Sequence, residues 1–570
     1  NIDNTPADIT IAGLTSTDAS NTAINFNDLT GSFTLNSGTI TDSGVAGVQA
    51  TNSSDITLDN TTINTALAVG SGSSILANGI GNLTVSNGSI THEGTGTAVS
   101  LSNLTGDIDF DTNAVSKTGG LAVSINGGTG DVTFTNSAIT NTNGDGLDIQ
   151  TAAGTMLFGQ ITTTNGTNSV NIDNTPADIT IAGLTSTDAS NTAVLVNSLT
   201  GSFTLNGGTF TNSSAAGAQI TNSSNVTIQN VTIDDPSTHG IFAQNVNNFN
   251  FSGNNIDDPP LDGIHVENGS GNGTISGNTI RSVASAFDNA ISVTTNGNIN
   301  LDMDYNIISS LLTIGNNGID VTTLSGDATI RMRGNQITSI ANGFGDAIHY
   351  TGNSTGVMNT TITGNTIQND AGLFNNAIDV RYNAGSANTI ISQNTIDSND
   401  LVNLLEAGVY LNLNTTGATE SVVEQNIISA DAVAGLFNDG ISVFIEDGTD
   451  NIVHINENEI GKPIDLLLND SIEVAMNSSG SATGHVQVND NELFSTLGIG
   501  LNISVLTADT LSMQIQGNDT GLVSIFSFTT GLGSTLKIED LPNLSANNNG
   551  TVPLFLGLGS VQNTSDWLLP

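Results

Sequence analysis

The sequence predicts an all-β fold, a parallel β-helix of about 20 coils. Three observations predict it: short segments in which apolar and polar residues alternate, bends rich in Gly and Asn between those segments, and recurrence of the whole unit along the chain. The clearest unit is residues 262–280, DGIHVENGSGNGTISGNTI, in which Ile264 and Val266 alternate with His265. One such unit cannot bury its apolar face alone, whereas a stack of units can.

The spacing of the unit selects this architecture. The apolar residue that opens the second segment recurs about every 23–27 residues as far as Ile275, and about every 27–33 residues from there to Ile515. A propeller blade needs four strands and about 40 residues. The regular Leu and Asn frame of a leucine-rich repeat is not in the sequence. A coil of two or three short strands, each paired with its counterpart in the next coil, fits the observed spacing.

One phrase carries a resemblance to a known superfamily. ISGNTI at 275–280, repeated as ITGNTI at 362–367 and ISQNTI at 391–396, resembles the right-handed parallel β-helix repeat of pectin-lyase-like proteins. The resemblance covers nearly the whole chain and implies a right-handed parallel β-helix. It is most similar to the repeats of bacterial surface adhesins and autotransporter passengers. The superfamily also includes polysaccharide lyases, hydrolases and phage tailspikes, and fold does not choose among them.

The coils fall into three regions. Residues 1–280 form regular short coils, and residues 281–496 form longer coils with apolar insertions after the Asn bend. Residues 497–570 contain strands that are apolar on both faces, which is typical of burial on both sides. A β-helix must protect its open end, because unpaired strand edges aggregate. We therefore predict that the last region is a cap or a docking segment.

The first region contains a long internal duplication. Residues 1–23 return unchanged at 171–193, and similarity continues so that 1–63 matches 171–233. Blocks of whole coils lengthen a solenoid without disturbing its register. This suits a spacer or a filament better than an enzyme, whose single site gains nothing from length. We expect further copies upstream.

A column of asparagines accompanies the longer coils. An Asn lies three residues beyond the apolar reference position in ten consecutive coils: Asn254, Asn278, Asn306, Asn335, Asn365, Asn394, Asn426, Asn458, Asn491 and Asn518. Asn tolerates the left-handed conformation at a bend, and stacked Asn side chains form hydrogen-bonded ladders. We predict a structural ladder, and a binding site is the alternative.

Charge and composition exclude several classes of function. The chain has 53 acidic and 7 basic residues, a net charge of −46, and no cysteine. Nucleic acid binding needs a basic face, and disulfides or zinc–thiolate sites need cysteine. No stretch approaches the about 20 apolar residues of a membrane span. Such an acidic chain suits a surface exposed to salt or divalent cations, and we expect an extracellular location at the cell surface.

The densest acidic cluster predicts a calcium site. Two consecutive coils carry similar Asp-Asp-Pro turns, and adjacent coils lie about 4.8 Å apart. Carboxylates at this short distance repel one another unless a cation lies among them. The alternative is that the side chains point into water while the prolines stiffen the turn. The candidate Ca²⁺ ligands are Asp234, Asp235, Asp257, Asp258 and Asp262.

A weak catalytic candidate lies among the longer coils. Outward residues of the first strand, together with a nearby arginine, give Asp320, His349, Asp379 and Arg381. Paired carboxylates can act as acid and base in glycoside hydrolysis. However, the Asn-Thr-Asp, Gly-His-Gly and Arg-Ile-Lys set of polygalacturonase-like enzymes is not in the sequence, and the lysines are isolated. We expect a non-enzymatic protein and keep a polysaccharide lyase or hydrolase as the alternative.

Apolar residues outside the repeat pattern predict a contact surface, because large exposed apolar patches mark interfaces. The alternative is that these residues close onto the barrel. The candidate interface residues are Phe287, Phe344, Phe374, Phe437, Leu467, Phe526, Phe528, Phe555 and Trp567. The function expected overall is that of a structural extracellular protein, an adhesin stalk or filament subunit that associates with itself or with other surface proteins. The alternative is a polysaccharide-binding or polysaccharide-cleaving protein.

Overall fold

The structure is a computed structural model, and it describes most of the chain in two compact units, Asn1–Pro259 and Pro260–Pro570. The boundary predicted at residue 280 follows coil length and lies inside the second unit. The described residues are 1–65, 72–111, 113–282, 288–310, 317–339, 345–369, 375–398, 404–430, 436–448, 450–461, 470–478, 482–494, 499–507, 509–519, 525–548, 552–557 and 559–564.

The first unit is built from short strands joined by one- to few-residue bends. Its strands are Ile2–Asp3, Ile9–Ile11, Leu14–Thr17, Ile24–Asn27, Phe33–Leu35, Gly38–Thr41, Ala46–Thr51, Ile56–Asp59, Thr61–Thr65, Ser73–Asn78, Leu83–Ser86, Ser89–His92, Val99–Leu104, Ile108–Asp111, Ala114–Gly128, Val132–Phe134, Ala138–Gln150, Thr155–Thr164, Val170–Asp173, Asp178–Thr187, Val194–Asn197, Ser202–Leu205, Gly208–Thr211, Ala218–Thr221, Ser224–Gln229, Val231–Asp234, Ile241–Gln244, Asn247–Ser252 and Asn255–Asp257.

The second unit continues the same plan and adds two short helices near its end, a 3₁₀-helix at Leu541–Asn543 and an α-helix at Leu544–Asn547. Its strands are Ile264–Ser276, Thr279–Ser282, Asn289–Asp304, Ile307–Ser310, Asn317–Thr323, Ala328–Arg333, Gln336–Ser339, Asp346–Gly352, Val357–Thr363, Thr366–Asn369, Asn376–Tyr382, Ser386–Ser392, Thr395–Ser398, Leu404–Asn414, Thr419–Glu424, Ile427–Ala430, Leu436–Asp447, Asn451–Asn456, Glu459–Ile460, Ile472–Met476, Thr483–Asn489, Glu492–Leu493, Leu501–Val505, Thr510–Gln516, Ile525–Thr530, Thr535–Glu539, Val552–Gly557 and Ser560–Thr564.

The predicted fold class is confirmed: the chain is an all-β parallel solenoid of about 19 turns. A typical coil has three strands, for example Asp346–Gly352, Val357–Thr363 and Thr366–Asn369, and we call the sheets they form the first, second and third sheet. Each strand pairs in parallel with its counterpart in the next coil, as Asp346–Gly352 does with Asn376–Tyr382. Sequence positions one coil apart therefore lie directly above one another, and columns of equivalent residues form.

Inward-facing columns make the core. Phe110, Phe134 and Phe158 occupy the same position in consecutive coils and are fully or almost fully buried. Their rings stack with centroids 4.2 Å and 5.6 Å apart, which are favourable distances for aromatic pairs. Because apolar and polar residues alternate along the strands, the apolar side chains form a continuous core on the inner face and the polar side chains form columns on the outer face.

The predicted asparagine ladder is confirmed between the second and third sheets. In the second unit each amide donates to the side-chain oxygen of the next Asn, as Asn306 Nδ2 does to Asn335 Oδ1 at 3.0 Å. The same amide also donates to a main-chain oxygen, that of Ile275, at 2.9 Å. The members are almost fully buried, and each bonded amide replaces water that the interior cannot supply.

The conformational reason for the ladder differs from our prediction. The left-handed residue is the one before each ladder Asn, for example Gly277, Tyr305 and Gly334, with φ of 63°, 56° and 63°. The ladder Asn supplies its side-chain amide, and the tolerance of positive φ is required of the residue before it. The ladder also ends one coil later than predicted, because Asn518 Nδ2 donates to Asn548 Oδ1 at 2.8 Å.

Candidate functional site

The structure brings the four weak catalytic candidates together on the outer face of the first sheet. Asp320 lies beside His349 in the adjacent coil, and His349 lies beside Asp379 in the coil after that. Arg381 is two residues beyond Asp379 on the same strand, so that its side chain emerges on the same face. The parallel register of the coils creates this cluster from residues that are about 30 positions apart in the sequence.

Asp379 is the buried centre of the cluster. Its side chain is 0% exposed, and the Arg381 guanidinium clamps it through Nε, 2.9 Å from Oδ1, and Nη2, 2.6 Å from Oδ2. Burial acts to raise the pKa of Asp379, but hydrogen bonds from His349 and Arg381 outweigh it and leave the pKa lowered. Arg381 also lies over the Tyr410 ring, 5.1 Å from its centroid. Asp379 is thus held as a carboxylate that already has its partners.

His349 is held as a cation. Its Nδ1 lies 3.2 Å from Asp346 Oδ2 and 3.6 Å from Asp379 Oδ2, and its Nε2 lies 2.8 Å from the Thr351 hydroxyl. Burial acts to lower the pKa of His349, yet the neighbouring carboxylates of Asp346, Asp379 and Asp320 raise it to about 10. At neutral pH the imidazole is therefore protonated, and its charge is balanced by the surrounding aspartates.

A second ladder anchors this cluster, and sequence reasoning missed it. Its members open the first-sheet strands of successive coils: Asp262, Asn289, Asn317, Asp346 and Asn376. In each step the main-chain N–H of one member donates to the side-chain oxygen of the member before it, at 2.7, 2.9, 2.8 and 2.8 Å in that order. We call these residues the first-sheet ladder. The signal in the sequence is an Asp or Asn followed by Gly or Ala and then Ile, at the same position in each of these five coils.

The cluster also contains a possible metal-ligand set. Asp346, His349 and Asp379 each offer one ligand atom, and these atoms lie within 4.8 Å of one another. A metal would have to displace the His349 proton and compete with Arg381 for Asp379, because metal-bound histidine must be neutral. Asp320, whose pKa is raised chiefly by burial, lies beside this set. As it stands, the geometry is that of an ion-pair network across adjacent coils.

A family model for the right-handed β-helix region matches residues 22–186 and 192–367, more than half of the chain. The chain belongs to the right-handed β-helix family. Neither the curated proteins nor the solved structures contain a significant match to it. Among the described residues, none of the helices is long and apolar enough to cross a membrane. Family membership confirms the fold and its handedness, and it leaves the choice between enzyme and structural protein open.

In this β-helix the predicted calcium ligands divide into two groups. Asp234 and Asp257 are register partners in adjacent coils of the third sheet, and Asp235 and Asp258 follow them in the left-handed conformation, with φ of 50° and 53°. The pKa of Asp234 is raised by burial and then by the charges of Asp235, Asp257 and Asp258. These four carboxylates are thus close enough to repel one another, and calcium binding there stays a prediction.

Asp262 has a different environment from the one we predicted. It is 4% exposed, and its Oδ1 accepts the Asn289 main-chain N–H at 2.7 Å and the Asn289 side-chain amide at 3.2 Å. Its Oδ2 lies 2.5 Å from His265 Nδ1. Asp262 therefore starts the first-sheet ladder of the second unit through Oδ1, and its Oδ2 contacts His265.

The described candidate interface residues differ in burial. Phe526 and Phe528 are fully buried and belong to the core, so they do not form a surface as predicted. Phe555 is 41% exposed and stacks on Phe528 with ring centroids 4.9 Å apart. The side chains of Phe287, Phe344, Phe374, Phe437, Leu467 and Trp567 lie outside the described residues.

The first unit contains a buried polar column that sequence reasoning also missed. His92 and Lys117 are register partners in adjacent coils, 0% and 2% exposed. Lys117 Nζ donates to the main-chain oxygens of Gly94 at 2.5 Å and Thr118 at 3.1 Å. Burial lowers the pKa of Lys117 to about 8, and burial with the Lys117 charge lowers that of His92 to about 4. Lys117 thus satisfies two main-chain oxygens, whereas His92 Nδ1 lies 2.6 Å from the Thr65 hydroxyl.

Proposed function

We propose that this β-helix protein is a non-catalytic structural protein of the cell exterior, an adhesin stalk or the subunit of a surface filament. The observation that carries the proposal is the state of the best catalytic candidates. Asp379 is fully buried and clamped by Arg381, and His349 is protonated far above neutral pH. These side chains connect adjacent coils, which is a structural role.

Acid–base catalysis by His349 or Asp379 would need different pKa values. A general acid or base works best when its pKa is near the pH at which the enzyme operates. A histidine with a pKa of about 10 cannot accept a proton at neutral pH, and a carboxylate whose pKa is lowered cannot donate one. In addition, Asp346 Oδ1 accepts the main-chain N–H of Asn376 in the first-sheet ladder. The arrangement favours rigidity over proton transfer.

Chain length and charge support an extracellular spacer. The repeated block lengthens the solenoid by whole coils, and a net charge of −46 keeps such a surface hydrated. Near the end of the second unit, Leu554, Phe555 and Leu556 are 44%, 41% and 51% exposed. Three neighbouring apolar residues on one exposed strand favour a contact with another protein.

Negative-stain microscopy and sedimentation velocity test the proposal. We would examine the chain with Ca²⁺ and with a chelator, and compare it with the Phe555→Ser variant, whose exposed ring is removed. The filament form of the proposal predicts ordered fibres that are lost in Phe555→Ser. Isolated particles in every condition would remove the filament and leave the adhesin stalk. New reducing or unsaturated ends released from acidic polysaccharides would contradict the structural role altogether.

A second candidate function, polysaccharide binding, is favoured by one surface feature. Asn272, Asn298, Asn300, Asp327 and Thr329 line an open groove on the second unit. Amide and hydroxyl groups at such a groove can pair with sugar hydroxyls. Affinity electrophoresis through gels that contain polysaccharides would test it. Binding would retard the parent chain more than an Asn300→Ala variant, and equal mobility in every gel would refute it.

A further inference from the structure

The second unit has an edge where the second sheet turns into the third. Because each strand pairs with its counterpart in the next coil, three columns of outward residues run along this edge, and we call them together the bend edge. The column at the end of the second sheet contains Asp304, Arg333, Thr363, Ser392 and Glu424. The column in the bend contains Tyr305, Gly334, Gly364, Gln393, Gln425, Glu457 and Asp490, all in the left-handed conformation. The column that opens the third sheet contains Ile307, Gln336, Thr366, Thr395, Ile427, Glu459 and Glu492.

One end of the bend edge is the least acidic part of it. Of the seven basic residues of the chain, Arg281, Arg331 and Arg333 lie at this end. Asp302 lies 3.1 Å from Arg331, and Asp304 lies 2.5 Å from Arg333. Three positive and two negative charges leave +1 at this end, in a chain whose net charge is −46. The side chains of Arg331 and Arg333 are 38% and 43% exposed, so both can meet a partner.

Tyr305 is the aromatic residue of this end. It is 70% exposed, and its φ of 56° is unusual for a bulky residue. Its ring lies over Gly334 of the next coil, because a Cβ on that glycine would stand 2.6 Å from ring carbon Cε1. Ile307, two residues beyond Tyr305, is 45% exposed. Tyrosine and arginine are among the residues that contribute most to the binding energy of protein interfaces.

The other end of the bend edge is acidic. Its exposed apolar residue is Ile427, at 41%. Between the two ends the columns contain only small or uncharged residues, and a Cβ on Gly364 would meet no atom within 4 Å, which leaves room for another chain. Among the described residues, the carboxylates of the acidic end are those of Glu424, Glu457, Glu459, Asp490, Glu492 and Asp519.

We propose that the bend edge binds the bend edge of a second copy of this chain, with the two edges antiparallel. A twofold axis between the coils of Gly364 and Gln393 places each coil opposite the one that is equally far from the axis. Arg333 and Glu424 belong to one column, each in the second coil from that axis. Arg333 therefore faces the partner's Glu424, and because a twofold interface is isologous this ion pair forms twice.

The apolar residues match in the same arrangement. Tyr305 and Glu457 each lie in the third coil from the axis, so that the tyrosine hydroxyl faces the partner's Glu457. The ring of Tyr305 covers Gly334 in the second coil, where it faces the partner's Ile427. Exposed apolar groups of both subunits are thus removed from water between two ion pairs.

Charge decides both the partner and the orientation. A chain with a net charge of −46 repels its own copies over most of its surface. The antiparallel arrangement brings the end with a charge of +1 against the acidic end, whereas a parallel one would bring the acidic ends together. The contact involves neither Phe555 nor the His349 cluster, so it holds whatever the function proposed above.

Sedimentation velocity on charge-exchange variants tests the proposal. Every chain, including the reference, carries Phe555→Ser, so that the exposed apolar strand around Phe555 does not contribute. Arg333→Glu and Glu424→Arg each place like charges opposite one another twice in the homodimer. A mixture of these two variants restores opposite charges at both places. The control Lys537→Glu makes the same change of charge as Arg333→Glu on a strand outside the bend edge.

We expect the reference and the control to dimerise equally, and each single variant to dimerise at least about tenfold more weakly, because facing like charges are costly. The mixture should regain the affinity of the reference. Tyr305→Asn changes no charge and suits the left-handed conformation, so the fold tolerates it, and the loss of the ring should also weaken the dimer at least about tenfold.

Three results would overturn the proposal. A monomeric reference would leave the bend edge to a different partner. Single variants that dimerise as the reference does would place the contact elsewhere on the chain. A mixture no tighter than the single variants would exclude the antiparallel pairing of Arg333 with Glu424.

Discussion

The asparagine ladder gives the sharpest quantitative prediction, at Asn365. Its Nδ2 donates to the main-chain oxygen of Met332 and to Asn394 Oδ1, both at 2.9 Å. Its Oδ1 accepts the main-chain N–H of Asn335 at 2.9 Å and the Asn335 side-chain amide at 3.0 Å. In Asn365→Ala the Asn335 N–H loses its acceptor and the Met332 oxygen loses a donor, both inside the protein. At roughly 1–3 kcal/mol for each of these two buried groups, the free energy of unfolding should fall by about 2–6 kcal/mol.

A matched control is available on the outer face of the same solenoid. Asn388 is exposed and donates to Asn359 Oδ1 at 2.9 Å, so Asn388→Ala removes an asparagine bond that water can replace. We expect a loss below about 0.5 kcal/mol. Urea unfolding followed by far-ultraviolet circular dichroism measures both variants against the parent. Equal losses in Asn365→Ala and Asn388→Ala would refute the reasoning, because burial would then not matter.

Three further predictions concern charge. Because the pKa of His349 is raised to about 10 from 6.5, the contribution of His349 to stability is full below pH 6.5 and is lost as pH rises through 10. NMR titration should find that pKa in the parent and a lower one in Asp379→Asn. The pKa of Lys117, lowered to about 8 from 10.5, means that this lysine contributes a gain in stability as pH rises from about 8 to 10.5. Urea unfolding at each pH should therefore find that the stability of the parent relative to Lys117→Met increases over this range. Calorimetry should detect Ca²⁺ binding to the parent but not to Asp257→Asn/Asp258→Asn. The control Asp18→Asn/Asp42→Asn, which removes two aspartates at an equivalent corner, should bind Ca²⁺ as the parent does. Equal heats in all three would contradict the calcium site.

Periodicity was sufficient to predict the fold. Each coil repeats the same alternation, so the positions of Ile275 and of its counterparts in other coils report the period directly. The Asn column was visible for the same reason, since one residue type recurs at one offset. Asn548 was not predicted because the short helical segment Leu541–Asn547 precedes it, where the other ladder asparagines follow a strand with the apolar reference residue. A strictly periodic argument fails where a coil changes its local structure.

The chemistry of the site was harder to predict. Asp320, His349 and Asp379 were placed in one column by periodicity, but their roles depend on Asp346, which lies three residues before His349 and enters through the first-sheet ladder. That ladder contains both Asp and Asn and is interrupted at Ala407, so it does not stand out as a single repeated letter. Protonation depends on burial and on neighbouring charges together, and neither follows from an isolated sequence position.

The most direct test of the structural role combines two measurements on Asp379→Asn. We expect that neither the parent nor the variant releases reducing or unsaturated ends from a panel of acidic polysaccharides, and that the variant has a lower free energy of unfolding because His349 and Arg381 lose their shared carboxylate. The opposite pattern would contradict the account: cleavage by the parent, no cleavage by the variant, and equal stability of the two.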